Sequence, residues 1–327
     1  MTLTRRTALA SLGAIALASF AVAPASAQSK LTELRLDWAT YNPVSIILKN
    51  QGLLEKEFEK DGIKVRWVQT LGSNKALEFL NAGSIDLGST AGSAALVARI
   101  NGNPIKSIYV YSRPEWTALV TRKDTGITKV SDLKGKSVAV TRGTDPHIFL
   151  VRALADAGLT DKDVRFVLLQ HPDGRLALQR GDVQAWAGLD PMMASAEIDD
   201  GAVLFFRKPE ANTWGILNVR EAFAKEHPDV VARVLKIYER ARKWSLANPK
   251  EVTKALADAA KIPDVVAEKQ LKERTELTHS SIGKPQQESI LAAGLALQQA
   301  GVLPANVDVK KAVDELIDTR FNAALTN

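Results

Sequence analysis

Cysteine is missing altogether from the 327 residues. That removes disulfides, thiol nucleophiles and thiolate metal sites in one step. Histidine is scarce: His147, His171, His227 and His279 are scattered, with no i, i+4 pair and no carboxylate cluster beside them, so no metal site is expected. Beyond residue 27 no apolar run approaches the roughly 18 residues that a membrane helix needs. Lysine and arginine are interspersed with aspartate and glutamate, and without a basic stripe or a recognition motif nucleic acid is not an expected partner. A P-loop and a Rossmann glycine fingerprint are absent, and no cofactor is implied. The run Gly88-Ser89-Thr90-Ala91-Gly92 has the residue types of a nucleophile elbow but places serine second. These absences argue against an enzyme and leave binding.

What is present begins with a leader. Arg5-Arg6 precede the apolar stretch Ala8–Ala23, and Ala25-Ser26-Ala27 is an A-x-A cleavage signal before Gln28. Met1–Ala27 therefore reads as a secretory signal peptide cleaved after Ala27, which places the mature protein in the periplasm. Thr4–Leu9 partly matches a twin-arginine export signal but lacks the usual aromatic, so the general secretory route stays open. With 46% hydrophobic and 24% charged residues, the composition is that of an ordinary globular protein. The formal charge of +6 includes Arg5 and Arg6, so the mature chain carries +4, an excess that serves solubility.

The most informative segment is Leu77–Thr90, LEFLNAGSIDLGST. An apolar-periodic helix stops at Gly83, where glycine can turn left-handed, and Ile85 and Leu87 then alternate as in a strand. The small residues Gly88–Ala95 follow as a loop, where ligands sit in open α/β sheets. The layout recurs at Leu176–Trp186, LALQRGDVQAW, with Gly181 standing 98 positions after Gly83. That interval is too long for a solenoid repeat and suits one unit in each of two α/β domains.

Strand and helix patterns alternate along the chain, from Leu34–Trp38 and Lys64–Gln69 through Ser137–Thr141, Val164–Leu169 and Val203–Phe206. Such alternation predicts mostly parallel sheets covered on both faces. Thr213–Val219 is apolar and returns the chain to the first domain. Beyond Arg220 the pattern is nearly all helical: Val230–Ala247, Pro249–Ala260, Val265–Leu277, Gln286–Ala300 and Val309–Phe321. The expected architecture is two lobes, 28–115 with 219–327 and 116–218, joined by two crossings that make a hinge with a cleft.

LNAGSIDLGST, VSDLKGKSVAV (Val130–Val140), RGTDPH (Arg142–His147) and QRGDVQAWAGLDP (Gln179–Pro191) stand in an order and spacing that resemble the periplasmic aliphatic-sulfonate-binding proteins. These are solute-binding components of ABC importers, related to taurine-, nitrate- and thiamine-precursor-binding proteins. The resemblance implies an α/β, two-lobed type II periplasmic-binding-protein fold with a hinge, an interlobe cleft and a helical C-terminal region. It also implies a small-molecule solute, a membrane permease and an ATPase as partners, with the protein itself a monomer. The thiamine-pyrimidine synthases on the same fold use a cysteine-rich active region, which this chain lacks.

Carried over position by position, the family's ligand-facing loops fall on Thr40, Tyr41 and Asn42; on Ser89, Thr90 and Ala91; on Gly143, Thr144, Asp145 and His147; and on Trp186 and Asp190. Arg113, Trp116 and Trp214 join them because they fall at the two crossings, whereas Trp38 and Trp67 sit in strand patterns and read as core or sheet surface. One departure stands out. Sulfonate binders tend to have serine where this chain has Thr144-Asp145-Pro146, so that free N–H groups at a helix start hold the anion. Here Asp145 is a carboxylate and Pro146 has no N–H. Asp145 is either a helix cap or a group that tunes the cleft toward a zwitterionic or heteroaromatic solute, unless Arg142 or Arg113 offsets its charge. The function expected is solute capture for import; an exported sensor module or a cleft enzyme are the other readings.

Overall fold

The computed structural model describes residues 31–325, so the leader read at Met1–Ala27 lies outside the described residues. Alternation sets the first strand, β1 (Glu33–Trp38), with Leu34 and Leu36 fully buried. Helix α1 (Pro43–Asn50) starts where Asn42 caps it, its side chain accepting from the Ser45 N–H at 3.2 Å, with Pro43 next. Next come α2 (Leu53–Phe58), β2 (Lys64–Gln69), α3 (Ser73–Asn81), β3 (Leu87–Ala91), α4 (Gly92–Ile100) and β4 (Ile105–Pro114). The chain then runs through β5 (Leu119–Thr121), β6 (Ser137–Val140), α5 (Asp145–Asp156), β7 (Arg165–Leu168), α6 (His171–Arg180), β8 (Ala185–Ala187), α7 (Met192–Asp199) and β9 (Val203–Phe206). It continues with β10 (Gly215–Arg220), α8 (Glu221–Glu226), α9 (Pro228–Ala247), α10 (Pro249–Ala260), α11 (Asp264–Arg274), β11 (Thr275–Glu276), α12 (Lys284–Gln299) and α13 (Val309–Leu316). Both helix-ending glycines of the repeated unit are left-handed, Gly83 at φ +66° and Gly181 at φ +85°.

Two sheets result. The first has the order β11-β4-β10-β3-β1-β2 and the second β7-β6-β8-β5-β9. The expectation of mostly parallel sheets does not hold. Among the described residues four strand pairings are parallel and five antiparallel. The antiparallel ones all involve strands next to the crossings. β5 enters the second sheet between β8 and β9, and β10 returns between β3 and β4, each running against its neighbours.

Pairing with β10 also extends β3. Gly215 faces Ala91 and Ile216 faces Thr90, so Gly88–Ala91 are strand rather than the loop expected there, and α4 starts at once with Gly92. In the helical tail the run Val265–Leu277 breaks at Arg274, because Thr275 and Glu276 pair with Pro114 and Arg113 of β4. The run Val309–Phe321 breaks after Leu316, where Ile317 bridges Ser107 and the Asp318 N–H donates to the Ser107 carbonyl.

The core of the first lobe joins its sheet to α1, α4, α9 and α12 in one apolar cluster. The second sheet separates two smaller clusters by its pleat. Val138, Val140, Ala185 and Ala187 face Phe149 and Leu150 of α5, whereas Ala139 and Trp186 face Ala177 and Leu178 of α6. The crossings, 115–118 and 207–214, join the lobes.

Candidate functional site

The first-lobe floor is organised by a residue that the sequence reading passed over, Asp37 at the end of β1. Its carboxylate is buried and accepts from the Ser89 N–H (2.8 Å), the Ser89 hydroxyl (2.9 Å) and the Thr70 hydroxyl (2.8 Å). Burial pushes this carboxyl up to about 6, against the pull of those donors. Asn42 donates to Ser89 Oγ at 2.8 Å, and the Tyr41 hydroxyl donates to the Ser89 carbonyl at 3.1 Å. Thr90 donates to the Ala91 carbonyl and accepts from Asn218 at 2.7 Å, while the Ala91 N–H donates to Ser73. Thr40 is half-buried in the turn beside them. The lip expected at Ser89, Thr90 and Ala91 is therefore saturated by the protein itself. It shapes the floor rather than offering free donors.

Asp145 occupies the facing wall, and it does not cap its helix. Thr144 holds the N-cap position without a side-chain cap bond, its hydroxyl donating instead to the Thr141 carbonyl at 2.6 Å. The Asp145 carboxylate turns into the cleft. There it accepts from the Ser93 hydroxyl (2.5 Å), the Thr213 hydroxyl (2.8 Å), the Thr213 N–H (3.1 Å) and Trp116 Nε1 (2.9 Å). Burial pushes its pKa up while the four donors hold it back. Only about 10 Å³ remains open between Tyr41, Ser73, Trp116, Thr144, Asp145 and Leu189. Trp116, expected to be exposed to the cleft, is packed edge-on against Tyr41 with ring centroids 6.0 Å apart.

Beside this filled centre lies a cavity of about 790 Å³ with walls from both lobes. Ala94 and Val97 of α4, Asn101, Leu297 and residues 300–304 line one side; Arg142, Gly143, His147, Ile148, Val151, residues 160–162 (with Asp161 and Lys162) and Phe166 line the other. The Arg142 side chain is exposed and has no hydrogen-bond or ion-pair partner among the described residues. His147 is pushed down to about 4 by burial and by Arg142, so its imidazole is neutral. Gly143 sits at φ +79°, a conformation that favours glycine, and joins this cavity to the Thr144–Asp145 turn.

The remaining candidates lie elsewhere. Trp186, read as a cleft contact, is fully buried in the second-lobe core. A Cβ on Gly174 of α6 would stand 2.7 Å from its indole nitrogen, so the glycine makes room for the ring. Asp190 is tied off by Arg274 in a bidentate pair at 2.7 and 3.0 Å, and Arg274 also donates to Glu197 at 2.6 Å. These bonds join the second lobe to the α11–β11 junction. Arg113 is exposed and lies over Trp214, whose ring meets His279 edge-on at 4.8 Å; Trp214 is buried. Ser93, Thr213 and Arg274 were not foreseen. Ser93 is one polar residue in a small-residue run, and Thr213 and Arg274 become site neighbours only through the crossings.

Among solved structures, the chain is similar to the alkanesulfonate-binding protein SsuA from Xanthomonas axonopodis pv. citri bound to MOPS. The TM-score is 0.79 and the identity 26%, covering 87% of this chain and 98% of that one. Two α/β lobes around a walled cleft, with binding proteins as relatives, define a solute-binding component of an ABC importer and not an enzyme. The NMT1/THI5 like family pattern matches residues 57–252. A putative aliphatic sulfonates-binding protein of Escherichia coli (strain K12) is 30% identical over 308 residues, 94% of this chain and 93% of the relative. A second such protein, from Bacillus subtilis (strain 168), is 29% identical over 87% of this chain and 86% of the relative. The chain belongs to the NMT1/THI5-like family. No helix among the described residues is long and apolar enough to cross a membrane.

Proposed function

We propose that the protein is exported to the periplasm after cleavage behind Ala27 and captures an organic anion of the alkanesulfonate type for a membrane permease and its ATPase. One observation carries this reading: the 790 Å³ cavity is walled by both lobes and joins an apolar stretch at Val97, Ile148, Val151 and Phe166 to a charged edge, where Arg142, unpaired among the described residues, stands with Lys162 and Asp161. Its volume falls in the range of about 300–1,000 Å³ usual for small-molecule sites. The names of the relatives point to sulfonates. An apolar body packs on Val97, Ile148, Val151 and Phe166, and the anionic head pairs with Arg142 beside Gly143 and the neutral His147. Thr40, Tyr41, Asn42, Ser89, Thr90 and Ala91 support the floor. Ligand bridges both walls and shifts the population toward the closed form. The subunit works as a monomer on this reading.

Calorimetric titration with alkanesulfonates of rising chain length, with taurine and MOPS alongside, tests the proposal. Each added methylene buried on apolar lining should tighten binding about fourfold, from ~0.8 kcal/mol per CH₂. Arg142→Ala should weaken every member by roughly tenfold, as expected for a charge-assisted contact of about 1.5 kcal/mol. Absence of binding by the whole series at millimolar concentration would sink the assignment.

A further inference from the structure

The bonds around Asp145 have the arrangement of an occupied anion site. Ser93 and Thr213 hydroxyls meet Oδ1, while Trp116 Nε1 and the Thr213 N–H meet Oδ2. A carboxylate offers about four acceptor positions, and all four are taken. Every donor is neutral; no lysine or arginine among the described residues bonds this carboxylate.

The origin of the donors matters as much as their number. Ser93 stands in the first turn of α4 in the first lobe, Trp116 lies in one crossing and Thr213 in the other, whereas Asp145 belongs to α5 of the second lobe. The Ser93 N–H donates to Thr213 Oγ1 at 3.1 Å, so the cradle is braced independently of the carboxylate. Removing Asp145 would leave converging donors rather than a collapsed wall. With only about 10 Å³ open beside it, no further group reaches these donors while Asp145 is in place.

We infer that Ser93, Trp116 and Thr213 form an inner oxyanion site of the cleft, separate from the larger cavity, and that the Asp145 carboxylate is its built-in occupant. The site takes a small oxyanion, the head group shared by sulfonates and carboxylates, whenever the tethered one is absent or displaced. It holds the lobes together through the contacts that a bound anion would make. This inference does not depend on which solute fills the larger cavity.

Asp145→Gly empties the site, with methanesulfonate and acetate as probes in thermal-shift and calorimetric measurements on the mature protein. The variant should melt below wild type, and either anion should raise its melting temperature and bind it at least tenfold more tightly than it binds wild type. Methylammonium chloride at equal ionic strength should do neither. A larger gain with acetate marks a cradle shaped for a planar head, and a larger gain with methanesulfonate one that admits a tetrahedral head. The gain should vanish in Asp145→Gly/Thr213→Val. Should Asp145→Gly not fold, Asp145→Ser, with a shorter side chain, must show the same gain in smaller size. Anions that leave the soluble variants unmoved, or that act equally on wild type, overturn the inference. Long-chain sulfonate binding by wild type is read separately, so either proposal can fail while the other stands.

Discussion

Acid should weaken the fold through His171, a side chain for which the cleft has no evident use. It opens α6 and is fully buried, and neither ring nitrogen has a hydrogen-bond partner. Its ring is pressed against the first lobe. A Cβ added to Gly72 would lie 3.2 Å from its Nε2 and 2.9 Å from Asn74 Oδ1. A proton on that ring would be an unpaired buried charge, and burial pushes the imidazole down to about 3. In the unfolded chain the same group titrates near 6.5, about its ordinary value. Between these values the unfolded chain binds a proton that the folded one refuses. Stability is therefore intact above the unfolded value and falls as the pH drops through the window, by about 1.4 kcal/mol per unit. From pH 7 to 5 some 1.5 units are traversed, a loss of roughly 2 kcal/mol.

Asp37 and Asp190, each pushed up to about 6 by burial, work in the opposite direction, since the fold takes up their protons first and gains stability as the pH falls. Asp145, also raised, adds to this. The wild-type curve alone is therefore a composite, and the comparison must be with His171→Leu, which cannot titrate. Denaturant unfolding at both pH values measures it: whatever the difference between the two proteins at pH 7, it should move by about 2 kcal/mol in favour of the variant at pH 5. Parallel curves, within about 0.5 kcal/mol, would refute the reasoning.

Two further outcomes are expected. Trp186→Ala should destabilise by about 3–5 kcal/mol, as large core truncations do, yet leave solute affinity within twofold in calorimetry, because the ring lies in the core and not in the cleft. Arg274→Met leaves the buried Asp190 carboxylate without its partner and should cost about 3–5 kcal/mol in denaturant unfolding; adding Asp190→Asn should recover part of the loss.

The alternation of β1 and the glycines at 83 and 181 were legible because each is a local cause: a period of two, or a residue that tolerates positive φ. The strand character of Gly88–Ala91 was not, because it comes from β10, more than 120 positions away. The same holds for β11, which exists through its pairing with Arg113 and Pro114. Asp145 was legible as an oddity but not in its role, since its donors are supplied by the other lobe and both crossings. Trp186 shows the limit of strand reading. Alternation separates it from Ala185 and Ala187, but which side meets the cleft depends on α6 lying over the ring.

The placing of β10 beside β4 has a mechanical consequence. Gly215 pairs with Ser112 just where both strands approach the second lobe, so the two tethers leave the first sheet side by side. A single tether would let one body swivel freely about the other. Two adjacent ones, like the paired knuckles of a door, restrain relative twist more than one could. Arg274, gripping Asp190 from the end of α11, adds a third tie between the lobes.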